Sequence, residues 1–591
     1  MDNSLLPLLI AIPFFSATFI ALISQFNQSE FSRKSLAFLL SLLPICILLF
    51  GYGNWNGTSI DYPWISALDI NFHLSVDTLS IIFIALTVLI TPVAISAVET
   101  NSSPMLFYAL IFLLQGALLI LFTARDLALF AIAWEAILLP IYFILLIWGG
   151  TKRQAAALQF FIYMIAGSAL FVAAVLGLYF STPIPTFNLD LLAEIASSTP
   201  YATLFFAIFL LAFGVKTPLF PFHAWLPETY FQAPFAGSIL LAALLSKAGI
   251  YGIARIGYGL FPDLMALYSP LLVGFAIVGA LYGALAAWTQ TDYKRLIAYS
   301  SLSHVNFILV GLFLASQVAI QGALLQAFNH GITIASLFLV AAWLERRTQS
   351  TAFKAASGIT QIFPRLSWLT LVFVLSSIAI PGTNNFVGEF LILYGLLANN
   401  AWLTVLLGLT IIFSAMYMLR WMEKVYYGEL KETTIVEIPD IGTKEFIVAI
   451  PLIALILATG IYPAPILQQL EPASEKLTTG KSSLTADRSE DQKALEQQLD
   501  EELLRQKGFE HQREDESQRQ AGFQKQEVDT KVQQQLLQKQ YDDERQRQDL
   551  LQRQYDSTRQ QQYDFDRRRS DNAVQKRDLD RRREEDRRRN R

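Results

Sequence analysis

Cysteine is almost absent from this chain, in which Cys46 is the single cysteine among 591 residues. An internal disulfide and cysteine-based metal or redox centres are therefore excluded. Histidine is also scarce, and no two of the five histidines are spaced as a ligand pair, which argues against a metal site. Glycine-rich phosphate loops, Ser/His/Asp sets and nucleotide fingerprints are missing too. We therefore expect this chain to carry no cofactor of its own.

Charge is the second feature in short supply. Only 16% of residues are Asp, Glu, Lys or Arg, 53% are hydrophobic, and the mean hydropathy is +0.40. These values indicate a polytopic membrane protein. The N-terminus has no basic segment before its first apolar run and no small-residue cleavage site, so we expect the first helix to be retained rather than removed as a signal peptide.

Apolar runs of about 20 residues are long enough to cross a bilayer, and their number predicts about fourteen membrane helices. They lie near residues 5–24, 35–52, 76–98, 104–123, 126–148, 155–180, 201–219, 234–256, 266–289, 296–316, 318–343, 366–397, 401–426 and 445–466.

Lysine and arginine in short loops predict the orientation, because they favour the cytoplasmic side. Basic residues follow the odd-numbered runs, at Arg33/Lys34, Lys152/Arg153, Lys294/Arg295, Arg346/Arg347/Lys354 and Lys431. We therefore expect both termini on the outer, positive side of the membrane. Arg125 and Arg255, at the ends of even-numbered runs, are exceptions, and Lys294 and Arg295 have the pattern of ordinary loop anchors.

Runs 7 and 12 differ from the others because proline and glycine interrupt them, at Lys216-Thr217-Pro218 and at Pro381-Gly382. They are five runs apart, which favours two inverted five-helix repeats, helices 4–8 and 9–13, each with a broken helix. Coincidence stays open, since membrane helices tolerate both residues. The predicted divisions are N-terminal helices (1–103), first repeat (104–256), second repeat (266–426), last helix with flanks (427–473) and a charged tail (474–591).

Six ionisable side chains lie inside these apolar runs, where an unpaired charge costs about 2.5–3.5 kcal/mol on insertion scales. They are Glu135, Lys216, Lys247, His304, His330 and Glu389. Carboxylates, amines and imidazoles held out of water can exchange protons near neutral pH, so the set predicts a proton pathway with Glu135 and Lys216 as a coupled pair. The alternative is structural: ion pairs can join helices, and a lone buried histidine is often only hydrogen-bonded.

Other residues favour structural roles. His223, at the first helix break, is interpreted as structural, and His73 as a solvated residue of an outer loop. Most tryptophans near helix ends or charges, among them Trp134, Trp225, Trp288, Trp343 and Trp421, are interpreted as an interfacial belt.

The tail from about Ser474 is nearly all Gln, Arg, Asp, Glu and Lys. LLQKQYDDERQRQD (536–549) is followed by LLQRQYDSTRQQQY (550–563), a period of fourteen residues or two heptads. A long charged helix and a disordered segment both fit this composition. Interleaved acidic residues argue against nucleic-acid binding, and the partner of the tail is unknown.

Several motifs resemble one family. KTPLFPFHAWLPETYFQAPFAGSILLAALLSKAGIYGIAR and QTDYKRLIAYSSLSHVNF resemble the antiporter-like, proton-pumping membrane subunits of respiratory complex I, which are related to multi-subunit sodium/proton antiporters. AWEAILLPIYFILLIWGG (133–150), IPGTNNFVGEFLILYG (380–395) and RWMEKVYYGEL (420–430) are most similar to the M-type subunit, the counterpart of mitochondrial subunit 4 and of the chloroplast and cyanobacterial D subunit. The resemblance covers roughly residues 70–465.

The resemblance implies a fourteen-helix fold with two inverted repeats. It implies a helix-5 glutamate at Glu135, its partner lysine at Lys216 and a central lysine at Lys247. It further implies polar connectors at His304 and His330 and an acidic exit-side residue at Glu389.

FMN, iron–sulfur clusters and quinone would be bound by partner subunits, which include sister antiporter-like subunits in the same bilayer. The membrane would be a bacterial cytoplasmic membrane, or a thylakoid or organelle inner membrane.

Two departures and two rival functions accompany the resemblance. Gln159 stands where the family usually has a lysine, and Asn384 and Asn385 stand where small residues are common, which we expect to be harmless. One rival is a sodium/proton antiporter subunit without redox coupling. The other is a structural scaffold, against which the six buried ionisable groups argue.

Overall fold

The computed structural model describes residues 5–23, 30–51, 53, 55–99, 102–430, 438–479 and 488–589, with backbone alone at 30–32, 479, 488–531 and 589. Lys431, both termini and the start of the tail after residue 479 lie outside the described residues. The chain forms two units, Met1–Thr485 and Ala486–Arg591.

The first unit is a bundle of helices, and twelve described helical segments are long and apolar enough to cross a membrane. This confirms the polytopic helical fold, while the count of fourteen and the repeat symmetry stay predictions. The helices are α1 Leu5–Ile23, α2 Glu30–Phe50, α3 Thr78–Ser96, α4 Pro104–Thr123, α5 Leu127–Ala136, α6 Leu138–Trp148, α7 Arg153–Ser181, α8 Leu189–Ile195, α9 Ala202–Lys216, α10 Leu226–Gln232, α11 Phe235–Leu240, α12 Ser246–Gly252, α13 Pro262–Thr289, α14 Tyr293–Phe313, α15 Gln317–Thr348, α16 Pro364–Ser377, α17 Asn384–Leu397, α18 Ala401–Trp421, α19 Thr443–Ile461 and α20 Ala464–Thr479.

Both predicted interruptions are present. The first separates α9 from α10 between Lys216 and Leu226, and the second separates α16 from α17 between Ser377 and Asn384. A smaller irregularity at Ile137 divides α5 from α6 directly after Glu135. Pro140 explains it, because proline has no N–H to donate to the carbonyl four residues earlier. Glu135 and Lys216 therefore both lie beside places where regular helical bonding stops.

Three π-helical turns, Leu241–Leu245, Ile253–Tyr258 and Met422–Tyr426, were not predicted from the sequence. The first two enclose α12, so Lys247 lies between them. A π turn leaves the regular bonding pattern and is frequent at functional sites. This region and α14 and α15 are also the most buried part of the bundle, whereas α2 is largely exposed.

One β-hairpin stands outside the helices. Strands β1 Ser59–Ile65 and β2 Ile70–Ser75 pair antiparallel, with Ser59 opposite Ser75. The sequence predicted only a loop here, because the segment is short and lies between two much stronger helical runs. His73 belongs to β2, is partly buried, and its Nε2 lies 3.2 Å from Ser59 Oγ, so the prediction of a solvated loop histidine was wrong.

The tryptophan-belt prediction was wrong for four of the five residues. Trp134, Trp225, Trp343 and Trp421 are at most 4% exposed, while Trp288 is 39% exposed. The buried four fill the core, where Trp225 donates its indole N–H to Val215 O at 3.0 Å. A large side chain near a charge can equally be core or interface, and the sequence does not distinguish the two.

After the last candidate span, α20 continues the membrane unit. It buries Leu470, Ala473 and Leu477, and Gln321 on α15 donates to its Leu467 carbonyl at 2.7 Å. The helix runs past residue 474, where the sequence predicted the tail to begin.

The second unit contains a single α-helix, α21, from Arg488 to Arg589. All its described side chains, from 532 to 588, are exposed. Leu537, Leu551, Phe565 and Leu579 recur every fourteen residues and are 55–66% exposed. The helical interpretation of the tail therefore agrees with the structure.

Candidate proton-transfer site

Side chains from neighbouring helices hydrogen-bond to the backbone of the first helix break. Asn306 on α14 donates from Nδ2 to Pro218 O at 3.2 Å and accepts at Oδ1 from Phe220 N at 3.4 Å. Gln159 on α7 donates to Ala224 O at 3.2 Å. These bonds replace part of the backbone pairing that the break removes. Gln159 thus binds the broken segment directly.

Lys216 ends α9 and is 2% exposed. Its ammonium donates to the Trp134 carbonyl at 2.9 Å and lies 3.5 Å from the centre of the Trp134 ring. Glu135 is the next residue, yet its Oε1 is buried with no hydrogen-bond partner among the described residues. The two predicted partners are therefore neighbours without a direct ion pair, and the lysine is instead satisfied by a carbonyl and an aromatic face.

Lys247 lies on α12, close to the end of α9. Gly249 allows this approach, since a Cβ there would lie 1.9 Å from Thr217 Oγ1. Lys247 Nζ donates to Ala242 O at 2.9 Å and lies 2.8 Å from His330 Nδ1 on α15. A lysine and a histidine at this distance share one proton, because at most one of the two nitrogens can act as the donor.

His330 also lies close to His304, which in turn contacts Glu389. The ring centre of His330 lies 5.7 Å from that of His304, and His304 Nδ1 lies 3.1 Å from Glu389 Oε1. Gln326 donates to the same carboxylate oxygen at 3.2 Å. Lys247, His330, His304 and Glu389 are all buried, with at most 6% of each residue exposed. Lys247, His330, His304 and Glu389 therefore form one buried row.

The second break is bridged by Asn384, whose amide makes several hydrogen bonds; this is compatible with the expectation that asparagine is harmless here. Asn384 donates from Nδ2 to Asn329 O at 3.1 Å and to Thr333 Oγ1 at 3.2 Å, and its Oδ1 accepts from Ser376 Oγ at 2.6 Å. Asn329 in return donates to Asn384 O at 2.7 Å. A single amide thus joins α15, α16 and the start of α17, which a small residue could not do.

Several buried polar atoms along the row have no hydrogen-bond partner among the described residues. They are Glu135 Oε1, His304 Nε2, His330 Nε2, Gln326 Oε1, Asn329 Oδ1 and both amide atoms of Asn385. Buried polar groups are normally satisfied by protein or by ordered water. Three of the six predicted residues contribute such atoms, as do residues next to them in the chain or bonded to them, so this region has polar groups that its described neighbours do not satisfy. Within the described residues, no group of three or more His, Cys, Asp or Glu is arranged to hold a metal ion.

Two buried charged features were not predicted from the sequence: Lys294, and the cluster of Asp77 with Arg255 and Arg125. Lys294 is buried rather than an ordinary loop anchor: it is 7% exposed and donates to Ala233 O at 2.6 Å. Arg255 pairs with Asp77 through two bonds of 2.7 and 2.8 Å, and Arg125 adds a third at 2.8 Å. Burial raises the pKa of Asp77, but the two arginines outweigh it and hold that pKa well below its usual range. The signal for this cluster was the pair of arginines that broke the loop-charge pattern.

A helical membrane bundle with two interrupted helices and a row of buried Glu, Lys and His defines an antiporter-like integral membrane protein. Residues 124–414 match the family described as NADH:quinone oxidoreductase/Mrp antiporter, TM, and the chain belongs to this family. Within it the chain resembles subunit M. It is 35% identical over 429 residues to NADH-quinone oxidoreductase subunit M of Escherichia coli K12, covering 71% of this chain and 84% of the relative.

Solved structures agree with this assignment. A chain in the structure titled respiratory complex I from Thermus thermophilus with bound NADH matches with a TM-score of 0.74 and 29% identity, over 80% of this chain and 99% of that one. A chain of the Mrp complex from Dietzia sp. DQ12-45-1b matches with a TM-score of 0.72 and 20% identity, over 81% and 98%. The second match shows a shared fold alone.

Proposed function

We propose that this chain is the M-type proton-translocating subunit of an NADH- or ferredoxin-dependent quinone oxidoreductase. The observation that carries the proposal is the buried row Lys247–His330–His304–Glu389, in a chain whose relatives are subunits of such a complex. Glu135 and Lys216 form the other end of the pathway, next to the first helix break. Quinone reduction in partner subunits supplies the energy, and this chain moves protons.

The hydrogen-bonding directions support a relay. A protonated Lys247 donates to His330 Nδ1, which places the imidazole proton on Nε2. A proton entering at Nδ1 releases the one at Nε2. When His304 donates from Nδ1 to the Glu389 carboxylate, its own Nε2 is the acceptor. The two unpartnered Nε2 atoms then have complementary roles, donor on His330 and acceptor on His304, in rings whose centres are 5.7 Å apart.

The remaining parts of the proposal follow from the family. FMN, iron–sulfur clusters and quinone belong to partner subunits, and this chain contributes no redox centre. Its neighbours in the membrane are other subunits of the complex, sister antiporter-like chains among them. The loop charges support an orientation with both termini on the outer side.

Purification in mild detergent tests the assignment to the complex. Peripheral redox subunits should copurify with the chain.

Substitution then tests the relay: Lys247→Met should lower proton pumping in inside-out vesicles by about tenfold or more, because it removes a group that both accepts and donates a proton. Glu135→Ala and Lys216→Ala should act likewise while the complex still assembles. Lys152→Met, at an exposed lysine outside the row, is the control. Wild-type pumping by Lys247→Met would contradict the relay.

A subunit of a sodium/proton antiporter without redox coupling is the second candidate. The shared fold with the Mrp complex and the description of the matched family favour it over unrelated functions. Copurification of antiporter subunits alone, with sodium-driven proton movement that needs no electron donor, would select this candidate.

A further inference from the structure

Helix α10 is bonded to the first turn of α14 by two adjacent cations. Lys294 Nζ donates to Ala233 O, at the carboxyl end of α10, at 2.6 Å and lies 4.3 Å from the centre of the Phe235 ring. Arg295 pairs with Glu228 on α10 at 2.8 Å, and its guanidinium lies 4.1 Å from the centre of the Phe231 ring. Both contacts join α10 to the helix that carries His304.

Helix α10 is also bonded to the loop that follows α6, through Gln232, which lies one turn after Glu228. Gly150 N donates to Gln232 O at 2.7 Å, and Lys152 N donates to Gln232 Oε1 at 3.1 Å. A Cβ on Gly150 would lie 2.6 Å from Gln232 Oε1, so a larger residue here would displace the Gln232 amide from this position. Gln232 Nε2 in turn donates to Glu228 Oε1 at 2.8 Å.

The two carboxylate oxygens of Glu228 thus have different partners. One oxygen is joined, through Gln232, to the loop that follows α6, and the other is joined to Arg295 on α14, the helix that carries His304. Glu228 itself lies on α10, after the break that begins at the end of α9, where Lys216 lies. The side chain therefore lies where three elements meet: α14 carries His304, α10 follows the helix of Lys216, and the loop follows α6, which adjoins the α5 helix of Glu135.

We propose that Glu228 is a positioning residue that couples the Glu135–Lys216 end of the pathway to the His304–Glu389 end. This inference rests on the proposed proton-pumping function. A shift of α10 moves the first break and, through Glu228 and Arg295, the first turn of α14. Asn306, on the same helix α14, transmits the shift back to the break through Pro218 and Phe220. Because of the Glu228–Arg295 contact, α10 and the first turn of α14 move together.

Because the Glu228–Arg295 ion pair is partly exposed, its role in coupling can be tested without loss of the fold. The side chains of Arg295 and Glu228 are 34% and 28% exposed, and pairs of this kind contribute little to stability. Glu228→Gln should therefore leave the protein assembled. It weakens the bond to Arg295 because a neutral amide oxygen is a poorer acceptor for guanidinium than a carboxylate.

The test measures the ratio of protons pumped to NADH oxidised in vesicles that contain the complete complex. Glu228→Gln and Arg295→Gln should each lower the ratio at least twofold with normal assembly. The double variant should be no worse than either single one, because both remove the same contact. The exchanged pair, Glu228→Arg with Arg295→Glu, restores the ion pair but not the bond from Gln232 Nε2, because arginine has no acceptor, so it should recover only part of the loss. Glu423→Gln is the matched control, since Glu423 pairs with Lys424 at 2.9 Å on the exposed surface.

Three results would overturn the inference. These are a ratio equal to that of the Glu423 control, losses that multiply in the double variant, or failure of both Glu228→Gln and the conservative Arg295→Lys to assemble. The last result would assign the contact to folding. Lys247→Met in the same vesicles separates this inference from the proposed function: if it also pumps normally, the function itself fails, whereas loss with Lys247→Met but not with Glu228→Gln refutes the coupling alone.

Discussion

Asp77→Asn should destabilise the membrane unit strongly. The Asp77 carboxylate accepts from Arg255 at 2.7 and 2.8 Å, from Arg125 at 2.8 Å, and from the backbone and hydroxyl of Ser80 at 2.8 Å each. The side chain of Arg255 is 8% exposed, so the guanidinium has little water to replace a lost carboxylate. Asparagine keeps the size of the side chain and an oxygen for Ser80, but removes the charge that compensates for Arg255.

Removing one partner of a buried ion pair costs about 3–5 kcal/mol. The lower end of this range applies to Asp77→Asn, because the side chain of Asp77 is 25% exposed. Asparagine can also still accept the hydrogen bond from Ser80 N that caps α3. At about 2 cal/mol/K of unfolding entropy per residue, a unit of 485 residues should lose about 3 °C in its unfolding midpoint for a change of about 3 kcal/mol.

Thermal unfolding in detergent, followed by size-exclusion chromatography after heating, measures the shift. Asp190→Asn is the matched control, since Asp190 pairs with the same Arg125 at 3.3 Å but is 55% exposed. It should change the midpoint by less than about 1 °C, because exposed pairs contribute at most about 1 kcal/mol. Equal effects of the two substitutions would refute the assignment of the stability to burial of Arg255.

The pH dependence has a defined sign. The pKa of Asp77 is held below its usual range, so the charged form stabilises the folded protein at any pH above the ordinary carboxyl pKa, near 4. The difference between wild type and Asp77→Asn should be complete at pH 7 and should shrink as the pH falls below about 4. A difference that grew with acidification would contradict this linkage.

Two further substitutions test the helix breaks. Asn384→Ala should lower stability by about 1–3 kcal/mol, because it leaves buried groups on two neighbouring helices unpaired; thermal unfolding measures it, and an unchanged midpoint would count against the bridge. Gly249→Ala should lower proton pumping, because the added Cβ would lie 1.9 Å from Thr217 Oγ1 and must displace α12 from α9. Adding Thr217→Ala should restore part of the activity, and no recovery would place the cause elsewhere.

The sequence was sufficient to locate the breaks and the six ionisable residues, because a charge or a Pro-Gly pair is conspicuous within an apolar run. It could not show which groups touch. The Lys247–His330 contact joins residues 83 positions apart, and the Gln326–Glu389 contact joins residues 63 apart. Such contacts depend on how the helices pack, which local sequence patterns do not reveal. Glu135 and Lys216 show the limit most clearly, since they are neighbours whose charges do not meet directly.

Polar residues without charge were the ones most easily missed. Asn306, Asn384 and Gln326 each make bonds that shape the site, yet asparagine and glutamine in a membrane helix give a weaker sequence signal than lysine or glutamate. The π turns around Lys247 were also invisible, because their formation depends on tertiary packing rather than on local propensity. The sequence therefore located the buried ionisable residues and overlooked the uncharged polar residues that bond to the broken segments and to Glu389.

The arrangement of partners divides the proposed relay into separate steps. Direct hydrogen bonds connect Lys247 to His330 and His304 to Glu389, while the Nε2 atoms of the two imidazoles have no partner among the described residues. Lys216 is held instead by the Trp134 carbonyl, next to a Glu135 oxygen that is also unpartnered. Protons can pass within each bonded pair, but crossing between pairs needs water or a change of side-chain position. Under the proposed function, the helix breaks beside these crossings are the parts whose movement would open or close them, so that redox energy released in partner subunits would control proton flow by shifting the broken segments.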